Sequence, residues 1–211
     1  MHISLSIILS LLPFLPSSTA QSSPQKESQI SRPATKDSTI YHSTSNSSCP
    51  SCPSKTCTKC TLGHATTLQA NTTTNTSDGL ASLRWLVAFE MPPLPRGVSA
   101  ITRCTIQFPG LVRVMSAPVN VTVTEAVSSA WDEDTVSGEN APGELLGREG
   151  PLVNVQVPAF ANLEALDVTE VCRKVVTGGE FSVYVGTVGG GLLEVWSRDS
   201  GNAAILHVFF F

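Results

Sequence analysis

Seven residues, Leu83-Arg84-Trp85-Leu86-Val87-Ala88-Phe89, form a nearly continuous apolar run. A short apolar run bounded by turn residues is typical of a strand that is buried on both faces. Residues 101–108 and 119–127 follow it and alternate between apolar and polar side chains, as half-buried strands do. Further strand patterns lie at residues 152–157, 181–187, 192–196 and 203–209. We therefore predict an all-β fold, a jelly-roll-like β-sandwich.

One short helix interrupts the strands. Asp167-Val168-Thr169-Glu170 has the Asp-x-x-Glu pattern of a helix start. Val171, Cys172 and Val175 follow at helical spacing, and Gly178 is placed to end the helix.

The composition limits the possible partners. The chain has 211 residues, of which 41% are hydrophobic, enough for one core. Lys and Arg number 13 and Asp and Glu number 17, so the formal net charge is −4. This balance argues against a nucleic-acid partner that is bound by overall charge.

The N-terminus indicates secretion. Residues 3–15 are mostly apolar, but this run is too short to span a bilayer core of about 30 Å. Ser18-Thr19-Ala20 supplies the small residues of a cleavage site. We predict a signal peptide over residues 1–20; a short membrane anchor is the alternative. We expect a protein without a membrane span, secreted to the extracellular space or cell wall.

Four Asn-x-Ser/Thr sequons fit this compartment. Asn46, Asn71, Asn75 and Asn120 are predicted glycosylation sites, although a Thr-rich chain also produces sequons by chance. Asn120 lies on the polar face of its predicted strand, where a glycan would be exposed.

The mature chain divides into two parts. Residues 21–61 are rich in Ser, Thr and Pro and poor in large apolar residues. Such a segment buries too little surface to offset its ordering entropy. We predict a disordered stalk over residues 21–61 and a β-sandwich domain over residues 62–211.

The predicted stalk carries two Cys-x-x-Cys pairs, Cys49 with Cys52 and Cys57 with Cys60. Secretion favours disulfides among these four cysteines. A zinc site needs a longer stretch between its pairs, so metal binding and a redox role are the weaker alternatives. The sequence leaves the pairing open.

Several segments resemble the DNRLRE domain, also grouped as carbohydrate-binding module family 96. Leu94-Pro95-Arg96-Gly97 is similar to its turn between two strands, and Ser129-Ala130-Trp131-Asp132-Glu133 is similar to its tryptophan-acid loop. The remaining similar segments are residues 84–89, 101–104, 140–143, 166–169 and 196–200. The resemblance covers about residues 62–211.

This resemblance implies a non-catalytic module that binds a polysaccharide. Trp131 could be a stacking platform for a sugar or a core anchor under its loop. Arg84, Arg103 and Arg198 could bind carboxylates of an acidic polysaccharide, or could be solvated strand residues. The alternative function is a secreted structural or interaction protein that keeps the fold without binding sugar.

The two remaining cysteines fit this picture. Cys104 lies on a predicted strand and Cys172 on the predicted helix. We predict a Cys104–Cys172 disulfide that ties the helix to the sheet.

Two common catalytic motifs are absent from the sequence, and nothing in it points to a His/Ser/Asp triad. It contains no Gly-x-Ser-x-Gly and no His-Glu-x-x-His, so we predict neither an enzyme nor a cofactor or metal requirement. Asp132, Glu133 and Asp134 could hold turns, bind calcium through hard oxygens, or act as a catalytic pair. The role of Phe209, Phe210 and Phe211 is open.

Overall fold

The computed structural model describes residues 26–43, 48–76, 79–98, 100–145, 152–175 and 177–211. The predicted signal peptide over residues 1–20 and the Asn46 sequon lie outside the described residues.

The described residues form fourteen strands and one short α-helix. The strands are β1 Ser28–Pro33, β2 Lys36–Ser43, β3 Ser48–Cys49, β4 Cys52–Thr56, β5 Thr67–Thr76, β6 Gly79–Glu90, β7 Ile101–Gln107, β8 Val119–Ala126, β9 Glu144–Leu145, β10 Val153–Val157, β11 Leu166–Asp167, β12 Glu180–Val188, β13 Leu193–Trp196 and β14 Ile205–Phe210. The helix α1 is Thr169–Lys174, and single 3-10 turns occur at Cys57–Lys59 and Arg198–Ser200.

Two antiparallel sheets make the sandwich. The smaller sheet has the order β1-β14-β7-β11. The larger has the order β10-β8-β12-β6-β5-β13, with β2 also paired to β6 and β9 to β8. Strands β3 and β4 form a separate hairpin. The predicted all-β sandwich with one short helix is confirmed.

The central strand β6 is buried on both faces, which explains its continuous apolar run. Trp85 and Phe89 point into the core between the sheets, where the Trp85 ring lies 5.0 Å from the Phe108 ring. Leu86 points the other way, into a second apolar cluster with Ile40 and Tyr184. Each such side chain contributes about 1.5–3 kcal/mol by leaving water.

The helix begins one residue later than the sequence predicted and ends sooner. The Asp167 carboxylate accepts a hydrogen bond from the Thr169 backbone N–H at 2.8 Å, but the N-cap residue is Val168, which makes no side-chain cap hydrogen bond, so the predicted Asp-x-x-Glu capping box is one residue out of register. The helix ends at Lys174, and Gly178 lies beyond it in a left-handed conformation with φ +79°. No helix of the described residues is long and apolar enough to cross a membrane.

The prediction of a disordered stalk over residues 21–61 was wrong for the strands that fall in it. Strand β1 pairs with β14, and β2 pairs with β6, so the sandwich begins at Ser28 and not at residue 62. Asp37, Ser38 and Thr39 of β2 are buried although they are polar. The polar composition predicted disorder here, but these polar groups are buried in a folded edge strand.

All six cysteines are paired. Cys49 bonds to Cys57 and Cys52 to Cys60, so residues 48–60 form a compact disulfide hairpin beside β2. The structure also contains the predicted Cys104–Cys172 bond, which joins β7 to α1. With no free cysteine, the metal and thiol-redox alternatives have no thiolate to act through.

Candidate functional site

A loop of residues 127–143, called here the Trp131 loop, packs on the outer face of the larger sheet. It leaves β8 and returns to β9, and its base is closed by a hydrogen bond from the Val127 N–H to the Gly143 carbonyl at 2.8 Å. Val136 of the loop is buried against Ile40, Leu86 and Tyr184. The loop therefore has its own small apolar core and a fixed position.

Trp131 is half-buried and held by polar contacts at two places. Its indole Nε1 donates to the Ser182 hydroxyl at 2.9 Å. The Lys36 ammonium lies 4.9 Å from the ring centroid and donates to the Trp131 carbonyl at 3.1 Å and to Glu180 at 2.7 Å. The ring is thus part of the packing under the loop, and it also lines a surface cleft.

This cleft, called here the Trp131 cleft, has a volume of about 410 Å³ and is lined by Ala130, Trp131, Asp132, Thr135, Val136 and Asn140. Its polar walls are fixed by local hydrogen bonds. Asp132 accepts from the Asp134 N–H at 2.8 Å, and the Asn140 amide donates to the Thr135 carbonyl at 3.0 Å. Asp132 and Thr135 are exposed to solvent.

Three carboxylates meet at the edge of the sandwich beside this loop. One oxygen from each of Asp37, Glu133 and Asp199 lies within 4.8 Å of the other two. Asp37 comes from β2, Glu133 from the Trp131 loop and Asp199 from the turn after β13. We call this group the carboxylate cluster.

Hydrogen bonds fix the inner part of the carboxylate cluster. The Asp37 N–H donates to Glu133 Oε1 at 2.6 Å, and Asp37 Oδ2 accepts from the Arg198 N–H at 2.8 Å. The Arg198 guanidinium pairs with Glu133 Oε2. Three distant segments of the chain are therefore joined through one network.

The cluster changes the acidity of its members. Burial raises the pKa of Asp37 to about 6, and the nearby Glu133 and Asp199 charges add to this effect against the Arg198 N–H, which lowers it. At the exposed rim, a hydrogen bond to Asp134 at 2.5 Å raises the pKa of His64, and Asp199 acts in the same direction.

The four predicted ligand residues do not form one site. Trp131 and Arg198 both adjoin the Trp131 loop. Arg84 pairs with Glu144 on the outer face of the larger sheet. Arg103 lies in the smaller sheet and stacks on the Phe209 ring at 4.2 Å, so it is on the other sheet from the Trp131 loop. This contact gives Phe209 a packing role, while Phe210 is buried and Phe211 is 41% exposed.

The sequons differ in exposure. Asn120 is exposed on β8, as predicted, and its Oδ1 accepts from Gln156 at 3.4 Å. Asn71 is half-buried in β5, and Asn75 follows in the same strand.

Comparison with known proteins shows the family to which the chain belongs. No family model matches it. It is 48% identical to an uncharacterized secreted protein of Arthroderma benhamiae over 212 residues, which is 100% of both chains. The chain belongs to the family of this secreted protein. The member described here is secreted, in agreement with the predicted signal peptide and with its three disulfides.

Sequence reasoning found Trp131, Glu133 and Arg198 of this family member but not Asp37, His64 or Asp199. Asp37 was assigned to the stalk, and its role depends on residues 96 and 161 positions away, Glu133 and Arg198. No local pattern could have indicated that grouping.

Proposed function

We propose that the protein is a secreted, non-catalytic carbohydrate-binding module that binds a polysaccharide in the Trp131 cleft. The observation that carries the proposal is an indole ring held in place by Ser182 and Lys36 at the wall of an open cleft. Sugar rings present apolar C–H faces that pack on aromatic side chains. A ring that is already fixed loses little conformational freedom on binding.

The polar lining of the cleft suits hydroxyl groups. Asp132 and Thr135 are exposed, and their side chains can accept or donate hydrogen bonds to a sugar. The segments that resemble the DNRLRE domain around Trp131 and Arg198 also adjoin this loop, which supports the same function.

The charges around the cleft favour a neutral polysaccharide over an acidic one. Arg84 and Arg198 already pair with Glu144 and Glu133. Asp132, an exposed carboxylate in the wall of the cleft, would repel a carboxylated or sulfated chain. This revises the acidic polysaccharide that the arginines alone suggested.

Affinity electrophoresis through gels containing soluble neutral and acidic polysaccharides tests the proposal. We expect retardation by a neutral polymer and a loss of about tenfold in affinity for Trp131→Ala, which corresponds to about 1.4 kcal/mol of stacking and burial. Trp196→Ala is the matched control, because Trp196 is 39% exposed on β13 and does not line the cleft. Thr135→Ala, a smaller change at an exposed lining residue, gives a second reading if Trp131→Ala unfolds.

Three results would contradict the proposal. Migration unaffected by any polymer would favour the structural or interaction protein, and release of reducing sugar would indicate an enzyme. Equal weakening of Trp131→Ala and Trp196→Ala would place binding elsewhere.

A further inference from the structure

We propose that the carboxylate cluster of Asp37, Glu133 and Asp199 is a binding site for one Ca²⁺ ion. The site is distinct from the Trp131 cleft, so this inference does not depend on polysaccharide binding. Its first support is geometric: one oxygen from each carboxylate lies within 4.8 Å of the other two. Oxygens around Ca²⁺ at 2.3–2.6 Å are separated by up to about 5 Å when they lie opposite each other.

The second support is an unsatisfied oxygen in the interior. Asp37 has 0% of its surface exposed. Its Oδ2 accepts from the Arg198 N–H, but its Oδ1 has no hydrogen-bond donor among the described residues. A buried carboxylate oxygen without a partner is costly, and folded proteins seldom leave one. A cation bound to Asp37 would remove that cost.

Charge points the same way. Among the described residues, the three carboxylates face the Arg198 guanidinium and, at the rim, the His64 imidazole; with His64 neutral, two negative charges remain when all three carboxylates are ionised. A divalent cation balances them. At the rim, the His64 imidazole is engaged by Asp134 at 2.5 Å and lies 3.6 Å from Asp199, so it does not replace a cation among the inner oxygens.

The donor set favours calcium: three protein carboxylates suit Ca²⁺ better than Mg²⁺, which usually binds through one or two carboxylates and keeps several waters. Carboxylate oxygens are hard ligands, whereas zinc sites are built mainly from nitrogen and sulfur. The Asp199 side chain is 28% exposed, so water can reach the site and complete the six to eight ligands that Ca²⁺ takes. The ion would join β2, the Trp131 loop and the turn after β13, and its binding would stabilise their contact.

Calorimetric titration of the full chain, stripped with EDTA and then dialysed, tests this site with CaCl₂ alone. We expect one site with a Kd of about 10⁻⁴–10⁻³ M, in the range of extracellular calcium modules. We also expect the melting temperature to rise by about 5 °C or more at saturating Ca²⁺, because the ion binds only the folded state.

Asp199→Asn should weaken Ca²⁺ binding by about tenfold or more, since it removes a charged ligand. No described hydrogen bond to the core depends on the Asp199 side chain, so the variant should fold. Glu139→Gln is the control: it neutralises an exposed carboxylate in the Trp131 loop whose one ion pair among the described residues is with Lys59, at 3.6 Å, and it should bind Ca²⁺ as the wild type does.

The proposal fails if the wild type shows neither binding heat nor a melting shift with CaCl₂. It also fails if Asp199→Asn binds as tightly as the wild type, or if Glu139→Gln loses as much affinity as Asp199→Asn. Binding of ZnCl₂ without binding of CaCl₂ would overturn the assignment of the ion.

Discussion

Gly63 is a position at which one added methyl group should disturb the candidate site. It is buried against the backbone of the Trp131 loop. A Cβ built there would lie 2.2 Å from the Glu133 carbonyl oxygen and 2.8 Å from the carbonyl carbon. Real Cβ atoms essentially never lie within 3.0 Å of a heavy atom from another part of the chain. Gly63→Ala must therefore push the two backbones apart by about 0.8 Å or more.

The obstructing atoms are backbone, so no side-chain rotation can relieve the contact. We expect Gly63→Ala to lower the free energy of unfolding by about 1–3 kcal/mol, the usual cost of overpacking. Because Glu133 moves with its backbone, the change should also weaken the contact of its carboxylate with the Asp37 N–H.

Urea unfolding followed by tryptophan fluorescence measures this change, with Gly110→Ala as the control. Nothing lies within 4 Å of a Cβ at Gly110, so that variant should be unchanged or more stable by about 0.4–1 kcal/mol through the unfolded state. Equal stability of the two variants would refute the idea that close backbone packing at Gly63 positions the Trp131 loop.

Three further changes test other parts of the structure. Replacing Cys104 and Cys172 together by Ala should cost about 4 kcal/mol in urea unfolding, because the bond closes a loop of 68 residues; a loss under about 1 kcal/mol would contradict the chain-entropy argument. Tyr184→Phe should cost about 1 kcal/mol, since the Tyr184 hydroxyl donates to the Pro142 carbonyl at 2.5 Å; unchanged stability would show that this bond contributes nothing. In EDTA, the free energy of unfolding of Asp37→Asn relative to the wild type should increase by about 2–3 kcal/mol as the pH rises from about 4 to about 7.5. The reason is that burial disfavours ionised Asp37, so the wild type loses stability as the pH rises through the Asp37 pKa of about 6. A difference that does not vary with pH would contradict this prediction.

The strands of the core could be predicted because each carries its own periodic pattern. The run at residues 83–89 became β6, and the alternation at residues 119–127 became β8. Such a strand buries one or both of its faces along its whole length. Its burial therefore appears as a pattern of apolar residues within the strand's own sequence.

Strand β2 could not be recognised in this way. Its buried residues include Asp37, Ser38 and Thr39, which are ordinarily exposed. The Asp37 carboxylate is satisfied at one oxygen by the Arg198 N–H, from a segment 161 residues away. A composition-based reading has no access to that partner and therefore assigns the segment to disorder.

Part of the candidate site could be predicted, because two of its residues stand out in the local sequence. Trp131 stands out as an aromatic residue among polar loop residues, and Glu133 belongs to a visible acidic run. The grouping of Glu133 with Asp37 and Asp199 depends on how β2 and the turn after β13 meet in space. Arg103 is the opposite case. Its residue type made it a candidate ligand residue in the sequence, but it lies on the other sheet and faces away from the site.

The pairing of β1 with β14 has a mechanical consequence. Ser28 lies opposite Phe210, and the ladder runs from there to Pro33 opposite Ile205. Tension applied between a tether before β1 and one after β14 would load the hydrogen bonds of this ladder one pair at a time, as in a zipper, and not all together in shear. The smaller sheet should therefore yield at low force when the molecule is pulled by its two ends, while the larger sheet stays intact.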